Sequence, residues 1–186
     1  MPLSKIKTNS LATGAITSAV MPTGSVLQVQ RLQYTSTTST VVANGSNQTL
    51  DHLTLNITPI ATNSIIRLDA MVNGEWNPWT SAYNSVWFFY RDSTKLSTPA
   101  SSGRAVGIHM GTGITIESAN AGSTPEHAFY SYFDTPSTTS QITYKVGVYQ
   151  GTGSNITWWT NRTVSDVDGY QYERGTSFIS VTEIAG

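Results

Sequence analysis

The chain has 186 residues with a formal net charge of −1, and only 11% of its residues are charged, against about a quarter in typical globular domains. A nearly neutral chain gives no electrostatic reason to bind DNA, RNA or an anionic membrane. The absence of cysteine excludes disulfides, cysteine-ligated zinc and thiol catalysis, and the length suits one domain with its own core.

The first 23 residues differ in pattern from the rest of the chain. Small residues dominate, and the isolated apolar residues form neither a helical stripe nor a strand alternation. We therefore predict an extended N-terminal arm over residues 1–23 that becomes ordered when it docks on a partner, with a floppy terminus as the alternative. The apolar residues predicted to dock are Leu3, Ile6, Leu11, Ile16 and Val20. The arm lacks the continuous apolar stretch of a signal peptide, so we expect a protein made in the cytoplasm without secretion.

From Gly24 onward, apolar and polar residues alternate with a period of two, as in residues 53–57, 66–72 and 142–148. Such alternation is typical of strands with one buried face. Turn signals separate these segments, at Asn44-Gly45, Asn73-Gly74, 135–137, 151–153 and Asp168-Gly169. No helix longer than about two turns is predicted, so we expect residues 24–186 to form an all-β head domain, either a sandwich or a barrel.

Three predicted strands carry large apolar side chains on both of their faces, in residues 85–90, 126–133 and around 158–159. One face can fill the core, but a solitary molecule rarely exposes a large aromatic patch. We predict that the second faces form a subunit interface, because aromatic residues are enriched there; cover by loops is the alternative. The predicted interface residues are Phe88, Tyr90, Tyr130, Tyr132 and Trp159.

Short motifs in a fixed order carry a resemblance to a known family. They are residues 1–6 (MPLSKI), 9–11 (NSL), 22–30 (PTGSVLQVQ), 55–60 (LNITPI), 64–67 (SIIR), 89–94 (FYRDST), 133–139 (FDTPSTT), 144–146 (YKV) and 174–186 (RGTSFISVTEIAG). In this order the chain resembles a group of aquatic bacteriophage proteins described as tail-fibre or virion structural proteins. The resemblance implies a jelly-roll head of the tumour-necrosis-factor-like kind, usually trimeric. Ile65, Thr182 and the stretch 75–83 depart from the family pattern.

The residues offer few constellations for chemistry. His52, His109 and His127 show no metal-ligand spacing, and neither a nucleophile elbow nor a phosphate loop occurs. Asp166 and Asp168 faintly resemble a calcium loop, but a polar turn explains them better. We therefore expect a protein that is not an enzyme and has no metal or cofactor.

One stretch suggests a ligand. Trp76, Trp79 and Tyr83 lie in a segment with a loop-like sequence, and exposed aromatic rings stack on sugars. A ligand-facing loop that binds a host surface glycan is one interpretation. The other is that these rings form a lid on the core or touch a neighbouring subunit.

These observations predict a homotrimeric virion protein made in the host cytoplasm, whose arm docks onto the capsid or tail. A head decoration or cement protein is the first hypothesis, because the sequence predicts neither a shaft nor a catalytic cleft. A short tail fibre or receptor-binding knob is the second, and a lectin-like carbohydrate-binding module is the third. We expect no nucleic-acid partner and no membrane insertion.

Overall fold

The computed structural model describes residues 21–78, 83–112 and 122–186. Within these ranges the regular structure is β, apart from a single 3₁₀ turn at residues 83–84. The strands are β1 (Val26–Tyr34), β2 (Thr38–Val42), β3 (Asn47–Ile57), β4 (Ile65–Asn77), β5 (Ser85–Arg91), β6 (Thr94–Leu96), β7 (His109–Met110), β8 (Glu126–Asp134), β9 (Ile142–Gln150), β10 (Ile156–Thr160) and β11 (Ser177–Ile184). In the described ranges, no helix is long and apolar enough to cross a membrane.

The strands form two antiparallel sheets. The six-stranded sheet has the order β1-β11-β4-β10-β2, and β8 pairs with the other edge of β4. The five-stranded sheet has the order β3-β9-β5-β6, and β7 also pairs with β5. One sheet curls into a half-barrel, and the pair of sheets is compatible with a β-sandwich, which confirms the predicted all-β class.

Strand β4 organises the six-stranded sheet because it is 13 residues long and has two successive partners on one edge. Its first half pairs with β11, from Ile65 to Met71, and its last four residues pair with β10. The predicted turn at Asn73-Gly74 is therefore wrong, because both residues lie inside β4. A Cβ atom at Gly74 would lie 2.0 Å from the carbonyl oxygen of Trp159, so glycine serves a close approach of two strands here.

The core lies between the sheets and contains three fully buried tryptophans. The ring centroids of Trp76, Trp87 and Trp158 are 5.0 to 6.0 Å apart. Trp158 meets the other two rings edge-on, at 65° and 75°, an arrangement that aromatic quadrupoles favour. One ring comes from β5 in the five-stranded sheet and two come from the six-stranded sheet, so the cluster joins the two layers.

Two buried carboxylates tie further segments together. Asp134 on β8 accepts two hydrogen bonds from Arg91 and one, at 2.7 Å, from the Tyr144 hydroxyl. Because Arg91 and Tyr144 belong to the five-stranded sheet, this cluster joins the sheets with hydrogen bonds. Glu183 on β11 accepts from the backbone N–H of Ile60 and the hydroxyl of Ser64, which anchors the β3–β4 connection.

Candidate interaction surface

The outward side of the six-stranded sheet carries exposed aromatic rings. Along β8 the side chains of Glu126, Ala128 and Tyr130 are buried, whereas Phe129 is 57% exposed and Phe133 is 60% exposed. This follows from strand geometry, since successive side chains point to opposite faces. Phe129 and Phe133 therefore share one face with room for a partner.

Neighbouring strands extend this face sideways. Met71 on β4 lies directly between Phe129 and Phe178. A second row of cross-strand neighbours begins at Val29 on β1, which is 52% exposed. It continues through Thr182 on β11 and Arg67 on β4 to Phe133 on β8. We name this surface the apolar face, and its members are Val29, Met71, Phe129, Phe133 and Phe178.

A row of polar side chains crosses the apolar face, and its charged groups are paired with each other. Asp69 accepts hydrogen bonds from Arg67 at 3.0 Å and from the Ser131 hydroxyl at 2.5 Å. Such a surface ion pair contributes little to stability. Its effect here is that the acid and base neutralise each other, so the face presents rings and a locally balanced polar row.

The predicted interface residue Phe88 does not contribute to this surface. It lies on the outward side of the five-stranded sheet but is fully buried. Its ring packs over its cross-strand partner Gly147, where a Cβ atom would lie 2.3 Å from the ring. The ammonium of Lys95 lies 3.9 Å from the ring centroid, and Tyr90 packs edge-on at 5.5 Å. The prediction of an exposed Phe88 is wrong, because the missing side chain at Gly147 lets the ring lie flat on the sheet.

The prediction that Tyr130 faces a neighbouring subunit is also wrong. It points inward and is buried, its ring centroid lies 4.8 Å from that of Phe89, and its hydroxyl donates to the carbonyl of Phe88 at 3.1 Å. Tyr132 points the same way and packs, partly buried, against the core. The sequence showed that β8 is aromatic on both faces, but the face with Phe129 and Phe133 is the exposed one.

The remaining two predicted interface residues are half-buried. Tyr90 packs against Phe88 on the outward side of the five-stranded sheet. Trp159 lies on β10, and the guanidinium of Arg162 covers its ring at 4.3 Å from the centroid. Neither residue belongs to the apolar face, and whether either one contacts a second chain stays a prediction.

The structure describes two of the three residues of the predicted ligand-facing loop, Trp76 and Tyr83. Trp76 is wrong as a ligand-facing residue, because it lies in β4 and is fully buried in the tryptophan cluster. Tyr83, just before β5, is 64% exposed. Trp79 lies outside the described residues, and so do the five predicted docking residues of the arm (Leu3, Ile6, Leu11, Ile16 and Val20).

His52 and Asp166 contact neighbouring side chains within the fold. His52 packs against the Tyr34 ring at 4.6 Å and lies 3.1 Å from the Thr160 hydroxyl; burial lowers its pKa to about 4. Asp166 binds two guanidinium groups, those of Arg162 at 3.2 Å and Arg174 at 2.6 Å. Among the residues that the structure describes, no three acidic or histidine side chains are grouped to hold a metal ion.

A polar groove lies at one end of the six-stranded sheet, with a volume of about 270 Å³. Its lining includes Asn73, Glu126, His127, Arg162, Glu173 and Arg174. Glu126 is a buried residue of this lining, and a second buried acid, Glu75, directly follows Gly74, the cross-strand partner of Glu126. The sequence did not single out these two acids, because neither lies in a motif and their proximity depends on how β4 pairs with β8.

No protein-family model matches the chain, and no curated protein matches it.

Proposed function

We propose that the chain is a non-enzymatic structural protein of a bacteriophage particle, a homotrimeric knob that decorates or cements the head. Two features support this proposal: the ordered motifs that resemble phage virion proteins, and the apolar face. The strand orders β1-β11-β4-β8 and β3-β9-β5-β6 support a jelly-roll head, because strands that are distant in the chain are neighbours in each sheet.

The apolar face is the observation that carries the assembly. Phe129 and Phe133 are more than half exposed, side by side with Met71 and Phe178. Burying the exposed part of one such ring, on the order of 100 Å², is worth about 2.5 kcal/mol. A second copy of the chain is the proposed occupant, since the internally neutralised Arg67–Asp69 pair would not repel an identical face.

Closure into a trimer would place three arms on one side of the assembly. Each arm would need only a weak docking contact, because binding of the first raises the effective concentration of the others. The function is therefore cohesive, and it requires no catalytic group.

The first experiment measures the mass of the full chain in solution by sedimentation equilibrium at micromolar concentration. We expect three copies for the wild type and one copy for the Phe129→Ser/Phe133→Ser double variant. The matched control is Tyr83→Ser/Tyr170→Ser, which removes two exposed aromatic rings away from the apolar face and should leave the trimer intact. A wild-type protein with the mass of one chain would overturn the proposal.

The second experiment locates the protein on particles by imaging an antibody label. Many copies distributed over the head support decoration. A few copies at the tail would contradict it and favour the short tail fibre. Glycan-array binding that disappears in Tyr83→Ala would favour the lectin-like module instead, because Tyr83 is exposed and belongs to the predicted ligand loop.

A further inference from the structure

We propose that Glu75 and Glu126 form a pH-sensitive latch at the groove end of the six-stranded sheet, in which Glu75 holds a negative charge and Glu126 holds a proton. Loss of that proton loosens this end of the sheet. The latch is a property of the single chain and does not depend on the proposed virion function.

Glu75 has the surroundings of an ionised carboxylate. It is fully buried on β4 and accepts backbone N–H groups from Val164 at 2.6 Å and Thr124 at 3.0 Å. The backbone of Gly122 supplies a further hydrogen bond. Several N–H donors pointing at one carboxylate stabilise its charged form, and these bonds connect β4 to the segments 122–124 and 163–165.

Glu126 has the surroundings of a neutral carboxyl group. It is 1% exposed, and its backbone donor, the N–H of Trp76, is distant at 3.3 Å. Its short contact, 2.6 Å, is to the hydroxyl of Thr112. A hydroxyl can donate or accept, so this contact persists with reversed direction when Glu126 is protonated.

Neither acid has a cationic partner within the part of the chain that the structure describes. The pKa of Glu126 is raised to about 7, mainly by burial and to a smaller extent by the charge of Glu75, while the hydrogen bonds from Thr112 and Trp76 oppose the shift. Burial likewise raises the pKa of Glu75, but its backbone hydrogen bonds oppose that shift. Burial therefore opposes the charged form of both acids, and at Glu126 the charge of Glu75 adds to this effect.

The other charged and titratable groups near the latch lie on four elements. They are His109 on β7, His127 on β8, Arg162 and Asp166 after β10, and Glu173 and Arg174 before β11. Asp166 pairs with both arginines, and the Arg162 guanidinium also donates to the backbone carbonyls of Thr163 and Val164. Glu173 adds negative charge near Glu75, and this favours retention of the proton.

The latch gives stability a defined dependence on pH. The pKa of Glu126 is higher in the folded chain than the ordinary value of 4.5, so the folded state binds the proton more tightly than the unfolded state. The stabilisation is complete below pH 4.5 and is lost as the pH rises through about 7. Above that pH both buried acids carry a negative charge at this end of the β4–β8 pairing, where Glu126 lies opposite Gly74, the residue before Glu75.

The test compares the thermal midpoint of the wild type, Glu126→Gln and Glu75→Gln between pH 5 and pH 8. We expect the wild-type midpoint to fall by on the order of 5 °C relative to E126Q across this range, because glutamine imitates the protonated acid. E75Q should melt earlier at every pH, because its amide group turns a donor toward backbone N–H groups. Asp51→Asn, which neutralises a 74% exposed carboxylate on β3 in the other sheet, is the control and should keep the wild-type pH dependence.

Infrared spectroscopy assigns the proton directly. The wild type at pH 6 should show the C=O stretching band of a buried protonated carboxyl group, and E126Q should lack it. The same pH dependence in wild type and E126Q would overturn the latch. A band that is lost in E75Q but kept in E126Q would also overturn it, since the roles would be reversed. If E75Q does not fold, the comparison of wild type with E126Q still decides.

Discussion

Removal of the Asp134 carboxylate tests whether the sheets are joined by hydrogen bonds as well as by apolar packing. Asp134 is 8% exposed and binds both Arg91 and Tyr144. The change Asp134→Ala leaves a guanidinium and a buried hydroxyl unpaired, and breaking a buried pair in this way typically costs about 3–5 kcal/mol. Because Arg91 is 28% exposed and can bind water, we expect the lower end, about 3 kcal/mol.

Tyr144→Phe is the second single variant of a double-mutant cycle with Asp134→Ala. Alone it removes one hydroxyl contact, at 2.7 Å, and should cost about 1 kcal/mol. The double variant lacks the Tyr144 hydroxyl, which Asp134→Ala alone would leave unpaired. We therefore expect the total to stay near 3 kcal/mol, with a coupling energy of about 1 kcal/mol.

The assay is urea unfolding at neutral pH, read as the free energy of unfolding at constant m-value. The control is Asp51→Ala, which removes a 74% exposed carboxylate that lies 3.5 Å from Lys145 and should cost less than about 1 kcal/mol. An Asp134→Ala protein as stable as the Asp51→Ala protein would refute the reasoning. Strict additivity of Asp134→Ala and Tyr144→Phe would show that the hydroxyl does not depend on the carboxylate.

Three further predictions concern the core and the histidine. Gly74→Ala should lower the free energy of unfolding by about 2 kcal/mol or more, because its Cβ would meet backbone at 2.0 Å; in the same urea assay Gly169→Ala, with a nearest contact of 3.4 Å, should change little. Trp76→Ala should cost about 3–5 kcal/mol, whereas Tyr83→Ala should leave the urea midpoint unchanged. Burial lowers the pKa of His52 to about 4, so lowering the pH from 6.5 toward 4 should destabilise the wild type by about 2 kcal/mol relative to His52→Gln. A His52→Gln protein with the wild-type acid profile would contradict the last expectation.

The sequence determined the fold class because strand periodicity is a local property. Alternation in residues 142–148 and 66–72 placed β9 and much of β4 correctly. Asn44-Gly45 was correctly predicted as a turn, and Gly45 has a φ of 69°. The Asn73-Gly74 signal failed because the same glycine that permits a turn also permits close strand packing, and the choice depends on Trp158 and Trp159 on a distant strand.

The orientation of the two-faced strands was decided only by the tertiary structure. Period two separates Phe129 and Phe133 from Tyr130 and Tyr132, but it does not say which set faces the core. Tyr130 points inward because its hydroxyl donates to the carbonyl of Phe88 and its ring packs against the ring of Phe89. The predicted interface therefore included the inward face of β8 instead of the exposed one, although the sequence correctly indicated aromatic residues on both faces.

By itself the sequence determined an all-β chain with few charges and more aromatic surface than one core face requires, since these depend on residue type and spacing. Only the tertiary structure decided which rings stay exposed and which acids meet. Glu75 and Glu126 are 51 positions apart in the chain, and the antiparallel pairing of β4 with β8 brings them together. Burial and proximity are properties of the packed sheets, and no local pattern encodes them.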